Sequence, residues 1–261
     1  MSHCCRCALL FALLTGMAHD ARAQSSTPMA TDRPDFTEAA TVVGTKVWQV
    51  ETGVLWNTDS QSGLTSKDLS APNMLLRLGV NSRLELRAGM QGLVGEHSGR
   101  PRASWQSSVS DLEVGTKYQL AHQHGLGLDL AILAFVTMPI GGSSANADPT
   151  VKFAWGRDVG RASVGGNLNW SAPTTPDDKR VRVLEGSVTV SHGLWGPWSG
   201  FLEAVGRDID ETDASAAWTG NTGITRLLGN DLQVDLHVGR GLTDAATNWT
   251  IGAGMAYRFR R

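Results

Sequence analysis

From position 81 to 94 the chain reads Asn-Ser-Arg-Leu-Glu-Leu-Arg-Ala-Gly-Met-Gln-Gly-Leu-Val, so that Leu84, Leu86, Ala88 and Met90 alternate with Arg83, Glu85, Arg87 and Gln91. A period of two puts the apolar residues on one face of a β-strand and the charged ones on the other. The same alternation recurs at 46–56, 73–81, 83–94, 111–121, 125–138, 151–157, 162–171, 181–192, 198–207, 216–227, 231–240 and 248–259. That makes about twelve strands, most near the roughly 9 to 11 residues of a tilted membrane strand.

The connections alternate too. Those after the odd strands are long and polar, at 57–71, 95–110, 139–150, 172–180 and 208–215, with a modest one at 241–247. Those after the even strands are tight, as at 122–124, 158–161 and Gly229-Asn230. Long loops at one end and short turns at the other predict an all-β, transmembrane, antiparallel up-and-down barrel with both termini on the periplasmic side. The long loops at 57–71 and 95–110 are expected to narrow the outer mouth.

One set of faces is apolar and would meet lipid: Val50 and Val54, Met74, Leu76 and Leu78, Leu126 to Val136 at every second residue, Leu232 to Val238, and Ile251 to Phe259. Trp48, Trp56, Tyr118, Trp155, Trp170, Trp198, Trp218, Trp249 and Tyr257 fall near strand ends, where two aromatic belts would sit. The opposite faces carry both signs of charge. Charge in a dry interior is costly unless paired, so these faces imply cross-strand ion pairs around a hydrated lumen. Glu51, Arg77, Arg83, Glu85, Arg87, Glu113 and Lys117 are the expected lumen-lining residues.

Composition narrows the class. A net charge of −2 with no basic tract argues against nucleic acid as a partner. No apolar stretch approaches the roughly 20 residues of a membrane helix. Residues 8–18 form a short apolar core after Arg6, and Ala21-Arg22-Ala23 is a small-x-small cleavage site, so residues 1–23 are expected to be a signal peptide. Cys4, Cys5 and Cys7 all lie within it, which leaves no thiol for a disulfide or a cysteine metal site. The expected organisation is a signal peptide at 1–23, an N-terminal periplasmic segment at 24–45 and a barrel at 46–261.

The most specific local feature is Thr31-Asp32-Arg33-Pro34-Asp35-Phe36-Thr37-Glu38, followed by a strand with Gln49-Val50-Glu51-Thr52-Gly53. This opening resembles that of the outer-membrane transporter family of the meta-pathway of phenol degradation, and the glycine-rich strands extend the likeness loosely over the chain. One departure is the ending Tyr257-Arg258-Phe259-Arg260-Arg261, where such barrels usually finish on an aromatic residue. The resemblance implies a barrel for passage of small molecules, aromatic ones among the candidates, across the outer membrane. Pro34 breaks any helix here. Asp32, Arg33, Pro34, Asp35, Phe36 and Glu38 are expected to tuck into the periplasmic mouth, with Arg33 pairing to a lumen carboxylate such as Glu51, as a tether or a gate.

Other chemistry is weakly signalled. His97, His122, His124, His192 and His237 do not gather into a metal site by spacing, and only His237 is placed in the lumen. Ser191-His192 is the nearest approach to an outer-membrane lipid-modifying hydrolase, yet neighbours in a strand point to opposite faces. A secreted soluble β-barrel binding protein would show the same alternation turned inside out. The reading is therefore a passive channel, not an enzyme, without cofactor or metal. Its expected partners are outer-membrane lipid, a small-molecule solute and the barrel-assembly machinery.

Overall fold

The computed structural model describes residues 29–61, 63–100, 104–122, 127–140, 146–175, 177–211 and 214–260. The expected signal peptide, the start of the N-terminal segment and His124 lie outside the described residues. The described strand segments are β1 (Val47–Gln61), β2 (Leu64–Gly79), β3 (Leu84–Met90), β4 (Leu93–His97), β5 (Gln106–Val109), β6 (Leu112–Ala121) and β7 (Asp129–Met138). They continue as β8 (Asp148–Val159), β9 (Ala162–Ser171), β10 (Val183–Gly193), β11 (Trp198–Ile209), β12 (Ala217–Leu228), β13 (Leu232–Gly241) and β14 (Trp249–Arg260).

Each strand pairs antiparallel with its neighbour, and β1 pairs with both β2 and β14, for example Gly53 with Gly254, which closes the sheet into a barrel. β3 and β4 both pair with β2 and form one interrupted stave; β5 and β6 form another, giving twelve staves. The first interruption, at Gln91-Gly92, lies opposite Pro72, which has no N–H to give to the ladder. Gly92 is in the left-handed region at φ 68°, and a Cβ there would stand 2.6 Å from the Pro72 carbonyl oxygen. The chain must give up its pairing and turn at that point.

The strand positions follow the alternation closely, and the largest difference lies in the expected long loops. Residues 57–71 are not a long loop over the mouth: β1 and β2 continue as a paired ribbon to Gln61 and Leu64. Likewise 95–110 contains the end of β4 and all of β5. These stretches are mostly polar, so no amphipathic signal marks them, and backbone pairing between neighbouring strands needs none.

The faces settle which way the barrel is turned. Leu168 is 62% and Leu202 68% exposed on the outside, while Arg77, Glu85 and Lys117 are wholly buried inside. A soluble barrel has the opposite arrangement. Trp48 stacks on Phe259 at 6.4 Å at the terminal end, and Trp56 lies 5.8 Å from Trp105 toward the loop end, so aromatic pairs stand near both ends of the strands. The interior is not uniformly polar: Ala131, Leu133 and Phe135 of β7 and Ala154 of β8 face inward and pack with Ala40. β7 is therefore apolar on both faces.

Candidate functional site

Residues 29–46 do not hang below the barrel. They enter from the turn side, where the Met29 N–H donates to the Asn230 carbonyl at 3.0 Å, cross the lumen, and return to β1 through Lys46, whose N–H donates to the Gly79 carbonyl at 2.8 Å. An irregular backbone inside a barrel must find partners for its polar groups. The wall side chains supply them. Glu51 on β1 accepts the Asp32 N–H at 3.1 Å, and Glu203 on β11 accepts those of Phe36 at 3.0 Å and Thr37 at 2.7 Å. Asn167 on β9 accepts the Glu38 N–H at 2.6 Å, and Glu85 on β3 accepts that of Val43 at 2.9 Å.

Asp32 organises the first wall. Its Oδ1 accepts the Ala39 N–H at 2.8 Å, folding the intervening residues into a compact loop. Its Oδ2 lies 2.6 Å from Arg87 Nη1, 3.3 Å from Lys117 Nζ and 3.4 Å from Arg77 Nη1. Burial would raise the Asp32 carboxyl, but Arg77, Lys117 and Arg87 together hold it well below the usual carboxylate range. Arg77 in turn meets Glu85 at 2.8 Å and Glu51 at 3.0 Å, Arg87 meets Glu38 at 3.0 Å, and Lys152 also pairs with Glu38. Burial again works against the ionised Glu38, and Arg87 and Lys152 outweigh it. Asp32, Glu38, Glu51 and Glu85 balance Arg77, Arg87, Lys117 and Lys152, the condition under which buried charge is tolerated.

Arg33 organises the other wall. Its Nη2 and Nε meet the two carboxylate oxygens of Asp235 on β13 at 3.1 and 3.3 Å. The guanidinium lies over the paired Gly53 and Gly254; a Cβ on Gly53 would come within 2.6 Å of Arg33 Nη2, and one on Gly254 closer still. The two glycines open the slot the arginine occupies.

On the long-loop side of the segment lies a cavity of about 860 Å³. Its floor is Asp32, Arg33, Pro34, Asp35, Phe36 and Glu38, and its walls include Leu55, Glu113, Lys152, Glu185, Val205, Arg207 and His237. Burial and the nearby Glu203 carboxylate push Asp35 up to about 8.

The expected lining residues are thus divided. Glu51, Arg77, Glu85, Arg87 and Lys117 face inward and hold the segment, and Glu113 lines the cavity. Arg83 is a correction: it is exposed in the turn at 80–83, where its N–H donates to Asn81 Oδ1 at 2.8 Å, because the strand begins one residue later. A second correction concerns Arg33, which pairs with Asp235 while Glu51 serves Arg77 and the Asp32 backbone. Glu203, Asn167, Lys152 and Asp235 also face inward and hold the segment, though they are not among the expected lining residues; their alternation in β11, β9, β8 and β13 is the signal that carries them. Ser191 Oγ contacts Ser163 Oγ at 2.6 Å, and the neighbouring His192 is exposed, so the two do not form a nucleophile and base. His122 Nδ1 lies 2.6 Å from Asp129 Oδ1, and no three His, Cys, Asp or Glu gather as a metal site among the described residues.

A closed, outwardly apolar barrel of twelve staves with a charged interior is a porin-like β-barrel of the outer-membrane type. The chain belongs to the family described as "Putative MetA-pathway of phenol degradation", whose model matches residues 31–259. Among solved structures it is similar to the COG4313 outer membrane channel from Pseudomonas putida F1, with 14% identity and a TM-score of 0.62 over 88% of this chain and 100% of that one. It is also similar to the KdgM porin in complex with disordered oligogalacturonate, with 11% identity and a TM-score of 0.53 over 81% of this chain and 99% of that one. The NanC porin gives 10% identity and a TM-score of 0.51 over 80% and 98%. At these identities the likeness is one of fold. No curated protein matches the chain.

Proposed function

We propose that the chain is a passive outer-membrane channel for small solutes, aromatic ones among them, and that residues 29–46 set its bore. The observation that carries this is the cavity of about 860 Å³ inside a barrel whose outer face is apolar. Its volume lies within the roughly 300 to 1,000 Å³ of small-molecule sites. A barrel built only for rigidity fills its interior with side chains, as eight-stranded barrels do. The fold relatives are named as a channel and porins, and the family is named for phenol degradation, which supports passage through the barrel and the solute class respectively.

Passage runs down the solute's own gradient, without a cofactor, a metal or catalysis. Export by a cleaved signal peptide, a position among outer-membrane lipids and insertion by the barrel-assembly machinery belong to the same proposal. The test is swelling of liposomes carrying the refolded full chain in isosmotic sugars, amino acids, nucleosides and small phenols. Swelling in the smaller solutes, phenols included, is expected. Liposomes that swell in none of them, while the barrel runs as a folded, heat-modifiable band, overturn the proposal.

A further inference from the structure

A cation and an anion meet different walls in the cavity. Each positively charged side chain lining it is already engaged: Arg33 with Asp235 at 3.1 Å, Arg87 with Asp32 at 2.6 Å, Lys152 with Glu38, and Arg207 with Glu185 at 3.5 Å. Against these four cations the described lining residues set seven carboxylates. Two of the seven, Asp35 on the floor and Glu113 on β6, form no ion pair among the described residues. An entering anion finds no cation that is not already shared, whereas an entering cation finds carboxylates with oxygens to spare.

We infer that the passage selects cations over anions, so that the solutes it favours are neutral or positively charged, and that Asp35 and Glu113 are the residues that set this preference. The inference rests on the channel reading above. A ring of charge in a narrow, low-dielectric passage filters by sign because field lines are focused between its walls. Asp35 stands mostly protonated at pH 7 with its value of about 8. Without it the lining carboxylates still outnumber the cations, and above pH 8 the excess grows.

The experiment is the reversal potential of the full-length protein in planar bilayers across a KCl gradient at pH 8.5, in dilute and in molar salt. Potassium is expected to permeate several-fold better than chloride in dilute salt, with the ratio falling at molar salt, where the screening length shrinks to about 3 Å. Asp35→Asn combined with Glu113→Gln is expected to bring the ratio close to one. A channel that conducts but prefers chloride, or whose ratio is unmoved in a variant that still shows heat-modifiable migration, overturns the inference and leaves the channel reading in place. If neither current nor swelling in neutral solutes is found, the channel reading fails and the inference falls with it. Should the double variant not fold, the wild-type reversal potential alone decides the sign.

Discussion

Arg33 and Asp235 are 202 residues apart in the chain and meet inside the barrel as a bidentate pair, with Nη2 to Oδ1 at 3.1 Å and Nε to Oδ2 at 3.3 Å. The pair ties the lumen-crossing segment to β13, through residues that take no part in the Asp32 ion pairs. Arg33→Ala leaves the Asp235 carboxylate buried without its cation. Breaking a buried pair from one side costs about 3 to 5 kcal/mol, and the partial exposure of Arg33 puts this case at the low end. The segment should become sensitive to protease at residues 29–46 while the barrel keeps its heat-modifiable migration. Unchanged protection would mean that the Asp32 network holds the segment alone.

Gly254→Ala tests the slot rather than the charge. In an ordinary strand, replacing glycine by alanine stabilises by removing freedom from the unfolded chain, by about 0.4 to 1 kcal/mol. Here the new methyl group would occupy the space of the Arg33 guanidinium. Gly254→Ala should therefore expose the segment to protease as Arg33→Ala does, and the double variant should be no worse than either single one. An alanine that raises the unfolding midpoint with the segment still protected would show that Arg33 has another place to go.

Asp35 gives the docking of the segment a pH dependence whose sign can be worked out. Its folded value of about 8 lies above the ordinary 3.8, so the docked state holds a proton that the released state gives up. Docking is then favoured at low pH and weakens as pH rises between these values. The charged groups facing Asp35 are Glu203 on β11 and Asp32 in the same segment. Asp32 and Glu38 are held below their ordinary values, so their contribution is lost only under more acid conditions. Protection of the segment from protease should fall between pH 5 and pH 7.5, and Asp35→Asn should flatten the profile and raise protection at pH 7.5. A profile that rises over this interval, or one that Asp35→Asn leaves unchanged, would contradict the assignment.

The alternation at 84–90 made β3 legible, and with it the inward face that carries Glu85 and Arg87. It misplaced Arg83 because the period of two continues into the turn, where only Asn81 marks the boundary. The path of residues 29–46 was not legible for a different reason. The segment has no period of its own, and the partners of Asp32 lie 55 residues away at Arg87 and 85 away at Lys117. Asp235 and Glu51 are both buried inward carboxylates. Which of them takes Arg33 depends on depth in the lumen and on the glycine pair beneath the guanidinium, and closure of the barrel sets both.

The outward face carries its own test. Val188 is the sixth of the eleven residues of β10 and is half exposed, while its neighbour Ser187 is buried against the lumen segment through Thr37 Oγ1 at 2.7 Å. If the exposed face meets hydrocarbon, an arginine at position 188 sits near the bilayer midplane, where it costs about 2 to 4 kcal/mol; near the interface the cost falls to about 0 to 1. Val188→Arg should lower the unfolding free energy of the barrel folded in phospholipid vesicles, read from denaturant titration, by that much. Leu184→Arg, four residues nearer the loop end on the same face, should cost less, because the side chain can reach headgroups. Equal and small effects at both positions would mean that this face meets water. They would also remove the lipid-facing reading on which the channel proposal stands.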